Sequence, residues 1–318
     1  MRTRTVLAFA AIFIIWGSTY LAIRYAVAEI PPLLTAGVRH LTAGSLLFAW
    51  AWAKGGRPTA IEWRHSAVVG GLFFLIGHGS LHWAEQSVPS GLSALLVATE
   101  PVWIALLLAM TGRTPLQLRT AAGLIVGLVG VWLIVRVDGL ANDSLLTGSL
   151  AVLVGAASWG AGVVYSQRAP LPADPILRTS TTLLSGAAML LAAAVIFGEP
   201  GAVRPPSPLA LWSLAYLIVF GSVVSFSAYY WLLDRYSATV VATHTYVNPA
   251  VAVLLGSLVG GEPMSAKLLV GLAVVSSAIA LVSMSPRQPE VCGDARVQPL
   301  STMTRRGVSE PQPLKLTR

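Results

Sequence analysis

The sequence is poor in charged residues and almost free of cysteine. Only 11% of its 318 residues are Asp, Glu, Lys or Arg, whereas soluble domains carry about 25%. The single cysteine, Cys292, lies in a polar C-terminal stretch, so the chain can form neither an internal disulfide nor a cysteine metal cluster. The sequence also lacks a glycine-rich phosphate loop, a nucleophilic serine motif and a paired-histidine zinc motif. These absences argue against a soluble catalytic domain and against ATP-driven transport by this chain alone.

Long apolar segments are what the sequence has in abundance. Hydrophobic residues make up 55% of the chain, and about 20 apolar residues in a helix are enough to cross a bilayer. The first segment is too long for a cleaved leader and is taken as a retained span. The sequence therefore predicts an all-α membrane protein with ten transmembrane helices, at 5–27, 33–53, 66–85, 90–110, 116–135, 146–165, 176–197, 209–233, 238–259 and 265–284.

Lys and Arg residues outside the apolar segments indicate the orientation. Most of those in the short connections fall on the side that also holds both termini, and positive charge favours the cytoplasmic side. We therefore predict a multi-pass protein of the plasma (inner) membrane with both termini cytoplasmic, and no nucleic-acid partner despite the net charge of +8. Residues 286–318 are polar and aperiodic, which predicts a disordered cytoplasmic tail, either inert or touching anionic membrane lipid.

The two halves of the chain, 1–138 and 139–285, resemble each other. At one constant offset, Pro101, Gly112, Pro115, Gly123 and Trp83 match Pro249, Gly260, Pro263, Gly271 and Trp231. A repeat with an odd number of helices is inverted in the membrane relative to its copy. Inverted repeats are typical of secondary transporters, whose sites lie at mid-membrane where broken helices meet. The pattern thus predicts two inverted five-helix repeats.

Three motifs carry a family resemblance over residues 1–285. They are IIWGSTYLAIRYA in the first span, AGVRHLTAG in the second and VNPAVAVLLGSLVGGEP in the ninth, and together they resemble the EamA-type family of the drug/metabolite transporter superfamily. The resemblance implies a ten-helix basket with a central cavity and the transport, often export, of amino acids, metabolites or toxic compounds. The first copy departs from the pattern, because it lacks the acid that the second copy holds at Glu262.

Two predicted spans carry a polar residue and a proline near their centres. Glu100 precedes Pro101, and Asn248 precedes Pro249. A charge at that depth costs about 3 kcal/mol or more and is normally paired, cavity-facing or functional, and proline interrupts the helix by removing a backbone donor. We expect helix breaks at both prolines, with Glu100 as a proton carrier or cation partner and Asn248 in an asymmetric solute site; an interhelical hydrogen bond is the alternative for Asn248.

The other charged, histidine and aromatic residues have alternative interpretations. Arg39 is a counter-ion or anion contact, or else it forms a permanent salt bridge with Glu100 or extends to the surface. His78, His82 and Glu85 form one helical stripe that suits proton relay, solute contact or helix packing, and His244 shares a face with Asn248. We expect no metal site and no cofactor. Aromatic residues that suit a cationic or amphipathic solute, or plain packing, are Trp16, Tyr20, Trp159, Phe226 and Tyr230.

The sequence as a whole predicts a secondary active transporter rather than an enzyme. We expect it to export small metabolites, amino acids or drugs by alternating access, with proton coupling as an open question. An intramembrane enzyme acting on a lipid and a passive channel are the alternatives. Gly256 and Gly260, four residues apart, permit close helix approach either within one chain or in a homodimer, so both a monomer and a homodimer stay open.

Overall fold

All regular structure in the described part of the chain is helical. The computed structural model describes residues 2–112, 122, 143–236, 238–241 and 243–263, and in addition 266, 269–271, 273–274 and 277. In chain order the helices are α1 (Thr3–Val27), α2 (Pro32–Ala53), α3 (Ala60–Ala84), α4 (Ser90–Met110), α5 (Asp143–Ser166), α6 (Pro175–Ile196), α7 (Pro208–Leu233), α8 (Ala238–Val241) and α9 (His244–Leu258).

Six of these helices, namely α1, α3, α4, α5, α6 and α7, are long and apolar enough to cross a membrane. The prediction of an all-helical membrane protein is therefore confirmed. Of the ten predicted spans, most of 116–135 and most of 265–284 lie outside the described residues, as does the predicted tail 286–318. Each of the other eight contains helix at its predicted place. The count of ten and the arrangement in two inverted repeats stay predictions.

Helix starts and stops follow local chemistry. Helices α2, α6 and α7 begin with proline, which is tolerated in the first turn because no intrahelical bond needs its missing N–H. At the other end of α6 and α9, Gly198 and Gly261 adopt positive φ values of 72° and 65°. Glycine reaches this left-handed region without steric cost and so ends a helix. Each of the two glycines is followed directly by a glutamate, Glu199 and Glu262.

The helices pack closely through small residues. Helix α2 runs along α6, α5 packs on α3 and α4, and α9 packs on α1 and α4. A Cβ added at Gly17 of α1 would lie 2.6 Å from Cβ of Val251 in α9, so only glycine permits this approach. Gly256 and Gly260 face Glu262 and Leu21 of the same chain. The close approach expected at these two glycines is therefore used within the chain.

Three helices contain a π-helical segment with a widened turn: Ala11–Ile15 in α1, Gly71–His78 in α3 and Leu217–Val224 in α7. Such segments loosen the regular backbone pairing and are frequent at functional sites. In each of them a carbonyl accepts a side-chain hydrogen bond from another helix. Ser158 donates to Leu72 (2.8 Å) and Trp16 to Gly221 (3.2 Å), and Asn248 donates to the α1 segment, as described below.

Candidate solute-binding site

A cavity of about 70 Å³ lies between α1, α2, α3, α4, α5 and α9. On the measure that assigns about 10–15 Å³ to one water molecule, it has room for about five to seven waters. Its wall contains most of the predicted site residues: Trp16, Tyr20, Arg39, His78, Glu100, Trp159, His244, Asn248 and Pro249. His82, Phe226, Tyr230 and Pro101 are not part of the lining.

Glu100 stands where α4 is interrupted. Helix runs from Ser90 to Val97, a turn follows at residues 98–99, and helix resumes from Glu100 to Met110. Pro101 has no N–H to give to the carbonyl of Val97, which explains the interruption here. Glu100 is buried, lines the cavity, and has no ion-pair partner among the described residues. Its carboxylate is thus a charged or protonated group that faces the cavity from the start of a helix.

Asn248 also lines the cavity, but its side chain is held by the backbone. With the amide oriented to match its surroundings, its nitrogen donates to the carbonyls of Ile12 (3.1 Å), Phe13 (2.9 Å) and His244 (3.1 Å). Two of these acceptors belong to the π-helical segment of α1. Pro249, which follows, lies inside α9 without ending it. The interruption in this part of the chain comes earlier, where residue 243 forms a turn between α8 and α9.

Arg39 is buried in α2 and makes a single directed contact. Its exposure is 1%, so it does not extend to the surface. The guanidinium Nε donates to the hydroxyl of Ser222 at 2.8 Å, whereas Nη1 has no hydrogen-bond partner in the part of the chain that the structure describes. Among the described residues Arg39 and Glu100 form no salt bridge. The cavity therefore contains one cation and one acid that are not paired with each other.

Histidines of α2 and α3 form a connected group beside the cavity. His40 Nε2 and His78 Nδ1 are 2.9 Å apart, and His82 Nδ1 donates to the carbonyl of His78 at 2.7 Å. Only His78 of these three lines the cavity. His82 Nε2 is buried and finds no hydrogen-bond partner among the described residues. The stripe predicted on α3 thus begins at the cavity with His78 and leads away from it toward Glu85, at the end of the helix.

Aromatic rings form one side of the cavity wall. Trp159 stacks on His78 with ring centroids 5.3 Å apart, and Trp16 lies 5.0 Å from His244. Phe226 is buried behind this layer, 5.2 Å from Trp16. Tyr230 is buried in the same apolar cluster. These two residues therefore lie in a second layer and do not line the cavity. The sequence could not indicate this, because apolar residues occur on all sides of α7 and do not show which face meets the cavity.

Several lining residues escaped the sequence reasoning. Thr19 and Thr245 add hydroxyl groups, and Gly77 and Gly155 bring the backbone of α3 and α5 to the cavity. Thr19 could have been found, because it lies three residues after Trp16 and next to Tyr20 on one helical stripe. Ser222, the partner of Arg39, has no such signal, because the contact joins distant parts of the chain.

Three glutamates cap helices of the other half of the chain at one end of the bundle. Glu262 pairs with Arg24 at 2.6 Å and accepts from the N–H groups of Ser90 (3.0 Å) and Gly91 (3.4 Å). The other two caps are Glu199 on the N–H groups of Leu33 and Leu34, and Glu29 on the N–H and hydroxyl of Ser207. Carboxylates satisfy the free N–H groups and the positive dipole at a helix start. We call this the glutamate-capped end.

Comparison with known proteins places this arrangement in a family. The model of the EamA-like transporter family matches residues 3–136 and again 146–284. The chain is 35% identical over 287 residues to "Uncharacterized inner membrane transporter YedA" of Escherichia coli (strain K12), covering 88% of this chain and 92% of that protein. It is 28% identical over 280 residues to "Uncharacterized transporter YoaV" of Bacillus subtilis (strain 168), covering 87% and 95%.

A solved crystal structure of another protein shares the fold. It aligns with a TM-score of 0.64 and 21% sequence identity, and the alignment covers 91% of this chain and 100% of the other. The family match, the relatives and the apolar helices agree with a multi-pass membrane transporter that acts on a small molecule. The chain belongs to the EamA-like transporter family.

Proposed function

We propose that this transporter moves a small polar or amphoteric metabolite out of the cell across the inner membrane, by alternating access and without ATP. The observation that carries the proposal is the cavity that contains both Glu100 and Arg39, unpaired with each other, together with an aromatic wall. A carboxylate and aromatic faces attract a cationic group, and a guanidinium attracts an anionic one. A solute with both kinds of group fits this lining best.

Alternating access is supported by the way in which the two halves meet. Residues 1–138 and 139–285 are proposed as inverted five-helix repeats, with both termini in the cytoplasm. At the glutamate-capped end, hydrogen bonds of Glu29, Glu199 and Glu262 each connect one half to the other. Such contacts can break together when the halves rock apart, which is how inverted-repeat transporters expose a central site. We propose that one chain transports on its own, because the cavity is lined by residues of a single chain.

Glu100 is the proposed proton carrier. It is buried at the interruption of α4 and has no salt-bridge partner among the described residues. An unpaired carboxylate in such a place is neutral when the cavity is closed to water, and charged when water or a cationic group enters. Its proton can therefore be exchanged against the solute in each cycle.

Transport assays test this role directly. A screen for altered sensitivity of a deletion strain to amino acids and toxic compounds identifies solutes, and proteoliposomes then measure their flux with and without a pH gradient. We expect Glu100→Gln to retain solute exchange but to lose its response to the gradient. The control is Glu62→Gln, because Glu62 lies in the capping box at the start of α3, outside the cavity. A Glu100→Gln protein that still responds fully to the gradient would contradict the role of Glu100 while leaving transport itself intact.

A further inference from the structure

We propose that the carboxylate of Glu85, together with the hydroxyls of Ser93 and Ser90, forms a binding site for a monovalent cation, separate from the solute cavity. Glu85 follows α3, does not line the cavity, and is 2% exposed. Within the described residues, neither of its carboxylate oxygens has a well-aligned hydrogen-bond partner, and no salt bridge includes it. A buried carboxylate in this situation must be neutralised, by a proton or by a bound cation.

Two serines supply the neighbouring oxygens. Ser93 lies beside the Glu85 carboxylate, and its hydroxyl is fully buried, with no well-aligned hydrogen bond among the described residues. Ser90 precedes Ser93 by three residues on the same face of α4, and its hydroxyl is equally buried and likewise unpartnered in that part of the chain. Each hydroxyl and carboxylate oxygen has more than one lone pair, and such hard oxygen ligands suit a hard cation.

Glycine at position 256 leaves room for these oxygens. A Cβ added there would lie 2.9 Å from the hydroxyl of Ser90 and 2.8 Å from Oε2 of Glu262. The Ser90 hydroxyl therefore lies close to the carboxylate of Glu262, which also accepts a hydrogen bond from the N–H of Ser90. The site is thus formed where the end of α3, the start of α4 and the end of α9 meet.

The charges around Glu85 do not neutralise it. Among the described residues, the charged or titratable groups that face it are Glu262 beyond α9, Arg24 and Tyr20 in α1, and Arg39 in α2. Arg24 is paired with Glu262, and Arg39 directs its Nε to Ser222. The carboxylate of Glu85 also stands at the C-terminal end of α3, where the helix dipole is negative. A small cation would supply the positive partner that this carboxylate lacks without displacing either arginine.

A cation at this site would hold the glutamate-capped end together, because it joins α3 to the helix start that Glu262 caps. This consequence rests on the proposed alternating access, whereas the site itself does not. Occupation would favour the state that is closed at this end, and release would favour opening. The cation would then be a coupling ion bound at a distance from Glu100 and the solute.

Thermal unfolding of the full-length protein in lipid nanodiscs tests the site without measuring transport, so its outcome is independent of the proposed function. Two series are compared at equal ionic strength: NaCl replacing choline chloride at pH 8, and sodium-free choline chloride from pH 8 to pH 5. The variants are Glu85→Gln and Ser93→Ala, with Glu62→Gln as the control at the other end of α3. A ligand that binds only the folded protein raises the unfolding midpoint in a saturable way.

For Na⁺ as the ligand, the midpoint of the wild type and of the control rises by several degrees with NaCl. In that case Ser93→Ala needs several-fold more Na⁺, and Glu85→Gln does not respond. If a proton neutralises Glu85 instead, Na⁺ has no specific effect and acid raises the midpoint of the wild type relative to that of Glu85→Gln; this result would overturn the cation site. Identical responses of wild type and Glu85→Gln in both series overturn the proposal. Should Glu85→Gln fail to fold, identical responses of wild type and Ser93→Ala in both series overturn it instead.

Discussion

Removal of the Glu262 carboxylate should open the glutamate-capped end of the transporter. In the structure this side chain pairs with Arg24 and accepts from the N–H groups of Ser90 and Gly91. All of these contacts connect Glu262, a residue of the second half, to helices of the first half. Glu262→Gln keeps an acceptor for one N–H but loses the charge, and Glu262→Ala loses both.

The structure sets the size of the effect. Loss of a helix-capping side chain costs about 0.5–2 kcal/mol. The Arg24 side chain is 40% exposed, so its ion pair is screened by solvent and adds only about 0.2–1 kcal/mol. The closed state should therefore lose about 1–3 kcal/mol in Glu262→Ala relative to a state in which the halves have separated. Because about 1.4 kcal/mol is a factor of ten in an equilibrium, the open fraction should rise about 5- to 150-fold.

The single cysteine of the chain makes the assay simple. Cys292→Ser removes the only native thiol, and Ala94→Cys then places one thiol in the cavity wall, where it is buried in the closed state. The rate of labelling by a membrane-impermeant thiol reagent reports the open fraction. We expect this rate to rise in the order wild type, Glu262→Gln, Glu262→Ala, and to stay unchanged in Glu62→Gln. Equal rates in all four proteins, each folded, would refute the view that Glu262 holds this end closed.

Two further predictions concern a connection and a helix contact. The hydroxyl of Ser207, and after it the N–H of the same residue, lower the pKa of Glu29 below its ordinary value of 4.5. This cap therefore stabilises the fold above pH 4.5 and loses its effect as the pH falls further. In thermal unfolding from pH 6 to 3, Ser207→Ala should lose less stability to acid than the wild type. Asn248→Leu should lower the free energy of unfolding by about 1–3 kcal/mol, because it leaves buried carbonyls of α1 without a donor. Asn248→Asp should be at least as harmful, because an ionised carboxylate has no hydrogen to donate to these carbonyls. An unfolding midpoint equal to that of the wild type in either variant would contradict the assigned hydrogen bonds.

The helices were predictable from sequence because their signal is local. Length and apolar composition alone identify segments such as 90–110, and proline next to a buried acid indicates the interruption at Glu100. The same reasoning placed Pro249 at a second interruption, whereas α9 continues through it. Proline removes one hydrogen bond but does not forbid a helix whose freed groups are satisfied by neighbours. Neighbouring helices decide that outcome, and they cannot be seen in the local sequence.

The π-helical segments and the caps were not predictable for the same reason. Leu217–Val224 reads as an ordinary apolar helix, and nothing in it indicates that Trp16 will bond to the carbonyl of Gly221. Likewise, Glu199 follows a glycine in a connection, which indicates an exposed turn, but its partner Leu34 lies far away in the chain. Contacts of this kind depend on which helices meet, and the apolar surfaces of membrane helices leave that choice open.

The difference between Glu100 and Asn248 follows from what each faces. Both precede a proline at matching positions of the two halves. Asn248 meets carbonyls that the widened turn of α1 offers, and only a donor can satisfy acceptors. Glu100 meets the cavity and has no salt-bridge partner among the described residues, so an acid can remain there to exchange a proton or bind a cationic group. The amide therefore fastens α9 to α1, and in the proposed transport cycle the acid stays free to respond to the contents of the cavity.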